Sequence, residues 1–337
     1  MGNVAAPAAR LVDRPIFVAC ATYGLLLVAF WFVARHFAIE ARIHGHMASS
    51  FTAFALLLAP YWFFGFGAAE VLQRVLTNRA IRVLVAGLLF VPYLVISVPR
   101  GEFRWIVALV LFSIPVAIAA LFEFLPPGGV RPAVGKLCWQ DVIALSVVGL
   151  PVEFGWVRGG FPHPGLSALP KILLMDSALY AFVVVRRLEG VGYDFRARVR
   201  EIVIGLRECS FFAPIAIVLG IGIGFIAPHG GMPPASSVSA VLLVTFFFVA
   251  IPEELFFRGL LQNLLEARIG YPGSLCVTAA IFGLSHFNKP LPFNWRYVLL
   301  GTIAGVFYGR AWHDRRRLLS SATTHTLVDV IWSLWFR

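Results

Sequence analysis

Three polar clusters interrupt apolar sequence in the C-terminal third of the chain. They are Pro252-Glu253-Glu254-Leu255-Phe256-Phe257-Arg258, then Phe282-Gly283-Leu284-Ser285-His286, then His325-Thr326-Leu327-Val328-Asp329. Carboxylates with histidines are the parts of a hydrolytic site. Amide cleavage needs a base that activates water and donors that stabilise the developing oxyanion. A carboxylate surrounded by hydrocarbon loses its hydration and becomes a stronger base than in water, which suits the first role. Each ionisable group within a bilayer costs a few kcal/mol on insertion scales, so a cluster at one depth points to function. The plainer reading is polar glue between helices, since interhelical hydrogen bonds do hold membrane helices together.

Spacing sets which of these groups can meet. Residues 237–288 read as a helical hairpin turning at Ile269-Gly270-Tyr271-Pro272-Gly273. Glu253 and His286 then lie about 16 residues, or roughly 24 Å, either side of the turn, which makes them level on antiparallel neighbours. A second turn at Arg315–Arg317 puts His325 about 9 residues, or roughly 14 Å, into the last span. Asp329 is i+4 to His325 and shares its face. Glu254 and Arg258 are also i, i+4 and can pair, while Glu253 points about 100° away and stays free for another partner. Pro252 removes a backbone donor from the helix ladder and is expected to loosen the helix at the site. Phe282 shares a face with His286 and can shield it from lipid. Ser285 precedes His286 directly, so the two are expected on different faces and not as a dyad. The sequence has no His-Glu-x-x-His, Gly-x-Gly-Asp or Gly-x-Ser-Gly.

The elements that position these residues must be membrane spans. Of 337 residues, 59% are hydrophobic and only 13% charged, with a mean hydropathy of +0.84. A soluble domain carries roughly 25% charged residues. A soluble enzyme, a disordered chain and a secreted disulfide scaffold are excluded. Apolar blocks near the bilayer-spanning length of about 20 residues predict an all-α polytopic bundle of about eleven spans: 16–37, 51–72, 81–98, 104–125, 138–157, 170–186, 210–228, 237–267, 273–288, 295–312 and 318–336. The first block is too long for a signal peptide's core and has no small-residue cleavage site, so it reads as retained. The Met1-Gly2 start lacks Ser or Thr at position 6, against myristoylation.

The net charge of +11 reads as loop Lys and Arg fixing topology, not as a nucleic-acid surface. With the N-terminus in the cytoplasm, 19 of the 28 Lys and Arg fall inside, and the loop 229–236, which has none, falls outside. The polar stretch 186–209 divides an N-terminal multi-span region of unassigned role, 1–195, from a C-terminal region, 196–337. Arg196, Arg198, Arg200 and Arg207 alternate there with Phe195, Val199, Ile202 and Leu206, as in an interfacial helix on anionic lipid or a solvated linker. Cys20, Cys138, Cys209 and Cys276 have no paired spacing and read as small hydrophobes. Glu70, Glu123, Glu153 and Asp176 stand alone near span ends and read as hydrated carboxylates. His36, His44, His46 and His163 lie in loops without ligand spacing.

The ordered set Glu-Glu-x-x-x-Arg, Phe-x-x-x-His and His-x-x-x-Asn/Asp resembles the CPBP family of intramembrane proteases, the type II CAAX prenyl endopeptidases and their bacteriocin-processing relatives. The resemblance covers about residues 200–337. It implies that Glu253 is the catalytic glutamate, that His286 helps it activate water, and that His325 and Asp329 bind the oxyanion. Many members have Asn where this chain has Asp329, and a carboxylate cannot donate unless protonated. It also implies an endopeptidase, glutamic or metallo-, acting on a membrane protein or peptide substrate within the lipid bilayer; the charge pattern predicts no nucleic-acid partner. No cofactor is expected. The alternative is a divalent metal such as zinc on Glu253, His286 and His325, with Asp329 available, although none shows the short fixed spacing of a structural zinc site. Two other functions fit the same residues: a catalytically idle scaffold or immunity relative, and a proton- or ion-coupled transporter, whose expected inverted repeat is not visible. The expected location is a bacterial plasma membrane, multi-pass, with a cytoplasmic N-terminus.

Overall fold

The computed structural model describes residues 8–39, 46–126, 136–156, 169–229, 231, 233–289 and 292–336. The readings made at Met1-Gly2, His44, His163 and Gly230 lie outside them. Among the described residues every regular element is helical, and one isolated bridge joins Pro228 and Phe336. Six helical runs are long and apolar enough to cross a membrane: Ile16–His36, Met47–Phe64, Arg79–Ser97, Trp105–Phe124, Val199–Gly222 and Ala235–Leu284. The chain is an integral membrane protein, and the expected count of about eleven spans is not established. The expected span 138–157 holds the 15-residue helix Trp139–Glu153, and 170–186 holds Leu169–Leu179 continued by a π-helical stretch to Val185. The expected pair 237–267 and 273–288 lies within the run Ala235–Leu284, which is interrupted by the non-helical Gly270.

The chain divides into two compact units. The first comprises Met1–Glu123, Arg158–Arg186 and Asp194–Arg196. The second comprises Phe124–Val157, Arg187–Tyr193 and Ala197–Arg337, so it also takes in residues that precede position 195.

The first unit holds α1 (Ala8–His36), α2 (Met47–Phe64), α3 (Ala68–Val75), α4 (Arg79–Ser97) and α5 (Trp105–Phe124). It also holds α7 (Leu169–Leu179), which continues as a π-helical turn, Tyr180–Val185. Trp62 Nε1 on α2 donates to the Ala19 carbonyl on α1 at 3.0 Å. Two of the acids read as hydrated are not. Glu123 is buried and accepts from Arg79 Nε at 2.9 Å and Arg82 Nη1 at 2.7 Å. Asp176 is fully buried, and neither carboxylate oxygen has a hydrogen-bond partner among the described residues. Hydropathy along the chain cannot report that neighbours enclose a site from every side.

The second unit holds α6 (Trp139–Glu153), α8 (Val199–Gly222), α9 (Ala235–Leu284), α10 (Trp295–Arg315) and α11 (Leu318–Trp335). α9 reverses where expected, at Gly270, whose φ of 71° and ψ of 174° suit a residue without Cβ. Pro252 has a larger effect than one missing bond. π-helical turns at Phe246–Ala250 and Leu255–Gln262 flank the short α-helical piece Ile251–Glu254. Removing a donor from the ladder favours such re-registration, and π turns recur at functional sites.

The returning arm of α9 packs tightly on α10. A Cβ at Gly283 would lie 2.6 Å from the Val298 carbonyl oxygen, and one at Gly305 would lie 2.9 Å from the Ala279 Cα. Gly301, Gly305 and Gly309 form a small residue at every fourth position, the pattern by which membrane helices approach closely. The interfacial-helix reading of 186–209 also needs correction, because residues from 199 onward are the first turns of α8. Val199, Ile202, Val203 and Leu206 are exposed on it, while Glu201 and Glu208 are buried. Arg317 pairs with Glu201 at 3.0 Å, and Arg207 and Arg310 pair with Glu208 at 2.8 and 3.2 Å. Arg207 also reaches Asp314 at 2.9 Å, and Arg316 pairs with Glu266. These arginines bind one end of the helices together and are not left for lipid headgroups alone.

Candidate active site

The three motifs and α10 surround one cavity of ≈ 250 Å³. Glu253 reaches it from α9, His286 from just beyond the end of α9, Tyr297 and Tyr308 from α10, and His325 and Asp329 from α11. All four proposed catalytic residues therefore face the same space.

The two adjacent glutamates have different surroundings. Glu253 keeps 21% side-chain exposure and lines the cavity, whereas Glu254 has none. Glu254 Oε1 accepts from Arg258 Nη1 at 2.9 Å, the expected i, i+4 pair, and from His325 Nδ1 at 2.8 Å. The second bond escaped the sequence reading, because nothing local links positions 71 residues apart. Arg258 is fully buried and also donates from Nη2 to the Gly305 carbonyl at 3.1 Å. Its guanidinium lies 4.6 Å from the centre of the Phe282 ring and 5.2 Å from that of Tyr308. A buried charge needs this full set of partners, since a pair stripped of one member leaves an uncompensated ion.

The contacts of His325 fix the orientation of its ring. Nδ1 faces a carboxylate and must carry a proton, which leaves Nε2 to the cavity side. There it lies 3.4 Å from Asp329 Oδ2 and 3.9 Å from Glu253 Oε2. The Tyr308 ring stacks on the imidazole at 4.6 Å between centroids and 18° between planes. Phe282 meets it edge-on at 5.7 Å, and lies 5.0 Å from His286 at 59°. Phe282 thus stands between both imidazoles, a wider role than shielding one.

His286 follows the last helical residues of α9, where Ser285 is the C-cap. Its Nδ1 is 2.9 Å from the Phe282 carbonyl oxygen, so that nitrogen donates and the Nε2 lone pair is free to accept from a water. Ser285 corrects the sequence reading: its Oγ does approach His286 Nδ1, at 3.2 Å. The helix ends at this point, and in the following turn adjacent side chains need not diverge as they do on a regular helix. The hydroxyl donates to the Phe282 carbonyl at 2.8 Å, and Ser285 does not line the cavity. Glu253 is within electrostatic reach of His286. Glu153, read as a hydrated acid, pairs with Lys289 at 3.0 Å beside the cavity.

Sequence reasoning placed a span at 295–312 but missed that its tyrosines line the site. Tyr297 packs on His286 with ring centroids 4.3 Å apart, as Tyr308 packs on His325. The available signal was spacing, since the two tyrosines are separated by eleven residues, about three turns of one face.

Among the described residues, no three His, Cys, Asp or Glu side chains are disposed to hold a metal ion. His325 has Nδ1 committed to Glu254, while Glu253 and Asp329 lie 3.9 and 3.4 Å from its other nitrogen. The metallopeptidase form of the reading is not supported.

Residues 235–331 match the family model of the type II CAAX prenyl endopeptidase Rce1-like proteins. No curated protein and no solved structure matches the chain.

Proposed function

The chain is, over residues 235–331, a member of the CPBP family, and from that premise we propose that it is an intramembrane endopeptidase. Its reaction is hydrolysis of a peptide bond in a membrane-associated or lipidated protein or peptide. The observation that carries the reading is the single cavity lined by Glu253, His286, His325 and Asp329. Glu253 takes the proton of a water that His286 Nε2 helps to orient. The water oxygen adds to the scissile carbonyl carbon, and Glu253 then delivers the proton to the leaving amine. His325, carrying protons on both nitrogens between Glu254 and Asp329, donates from Nε2 to the oxyanion. Asp329 holds that imidazolium and is not itself the donor.

In this reading no tightly held metal takes part. Elemental analysis of the purified protein should find well under one equivalent of zinc. One equivalent, with activity lost to chelator and restored by zinc, would overturn this. The peptidase reading itself is tested by comparing peptide termini in the membrane proteomes of cells carrying wild type and Glu253→Ala. At least one precursor should accumulate uncut in the variant. Identical termini in the two strains would sink the reading, and a difference confined to ion or solute uptake would favour a transporter.

A further inference from the structure

α10 carries none of the three motifs, yet Tyr297 enters the cavity as a polar group beside them. It lies in the first turn of α10, where its backbone N–H donates to the capping Asn294 Oδ1 at 3.2 Å. Three rings fix its own: His286 at 4.3 Å, Trp332 at 5.2 Å and Phe225 at 5.3 Å between centroids. Its hydroxyl makes no hydrogen bond to any described residue. The side chain lines the cavity with Glu253, His286 and Asp329, and both carboxylates are within electrostatic reach of the phenol.

Resting on the peptidase reading, we propose that the Tyr297 phenol is a further catalytic residue, a hydrogen-bond donor to the oxyanion formed when water adds to the scissile carbonyl. The chemistry at position 329 creates the need. An amide there would donate, but the Asp329 carboxylate lies 3.4 Å from His325 Nε2 and, when ionised, can only accept. A neutral phenol, rigidly held and otherwise unbonded, supplies the missing donor. Its proton stays on Tyr297 throughout. The carbonyl π bond becomes the C–O⁻ bond as water oxygen attacks; on collapse the C–N pair leaves with nitrogen, which takes the proton held by Glu253.

The test uses the full chain in detergent and an internally quenched peptide with a farnesylated cysteine three residues from its C-terminus. Tyr297→Phe keeps the ring packed on His286 and removes only the donor. It should lower kcat about 100-fold or more, as for losing an oxyanion donor, while KM changes less than about twofold. Adding Asp329→Asn to Tyr297→Phe should recover part of the lost kcat, because the amide donates in place of the phenol. If Tyr297→Phe fails to fold, difluorotyrosine at 297 replaces it, and the alkaline limb of the kcat–pH profile should move to lower pH. Near-normal kcat in Tyr297→Phe, with Glu253→Gln inactive, would refute the donor and leave the peptidase reading standing. A kcat loss without rescue by Asp329→Asn would reduce Tyr297 to a packing role and also refute it. Equal inertness of wild type and Glu253→Gln towards the peptide would refute both.

Discussion

One residue of displacement gives Glu253 and Glu254 opposite surroundings, the first beside the cavity and the second sealed against Arg258 and His325. Their conservative variants should differ accordingly. Glu253→Gln removes the base from an open position, so turnover should drop about 100-fold or more with an unchanged melting midpoint. Glu254→Gln leaves the Arg258 charge buried without its anion, which costs about 3–5 kcal/mol in comparable pairs, so thermal stability in detergent should fall together with activity. A stable Glu254→Gln protein without activity, beside an active Glu253→Gln, would reverse the two roles. The charge-swapped double variant, Glu254→Arg with Arg258→Glu, should not restore stability, because it points a cation at His325 Nδ1. The i, i+4 spacing made the Glu254–Arg258 pair legible in the sequence. The bond to His325 was not legible, because it depends on how α9 and α11 pack.

Among the elements, the reversal of α9 was readable because Gly270 and Pro272 carry backbone restrictions that no neighbour has to supply. The π turns either side of Glu253 were less readable, since a proline announces a broken ladder but not how the chain re-registers. Contact between α9 and α10 depends on glycine. Gly283→Ala would drive a methyl group towards the Val298 carbonyl, and overpacking of this kind costs about 1–3 kcal/mol. Because His286 lies three residues further on, the variant should lose both stability and cleavage rate. Gly24→Ala, where nothing lies within 4 Å of the added carbon, is the control. Equal melting midpoints for the two variants would show that α9 and α10 can separate freely.

For the whole molecule, the arginine-bound end of the second unit, with Arg207, Arg310, Arg316 and Arg317, lies at the opposite ends of the helices from Phe225, Lys289 and Phe336. Basic residues favour the cytoplasmic side, so reporter fusions at Asp194 and Gly230 should give cytoplasmic and external signals respectively. Equal signals would mean that an even number of crossings separates them. The cavity reaches from Glu253 and His325 towards the end with Phe225, Lys289 and Phe336. On that topology, the proposed peptidase site opens to the far side of the membrane, and its substrate reaches it from there or from within the bilayer. A charged maleimide that cannot cross lipid should therefore label Phe336→Cys in intact spheroplasts and spare it in inverted vesicles.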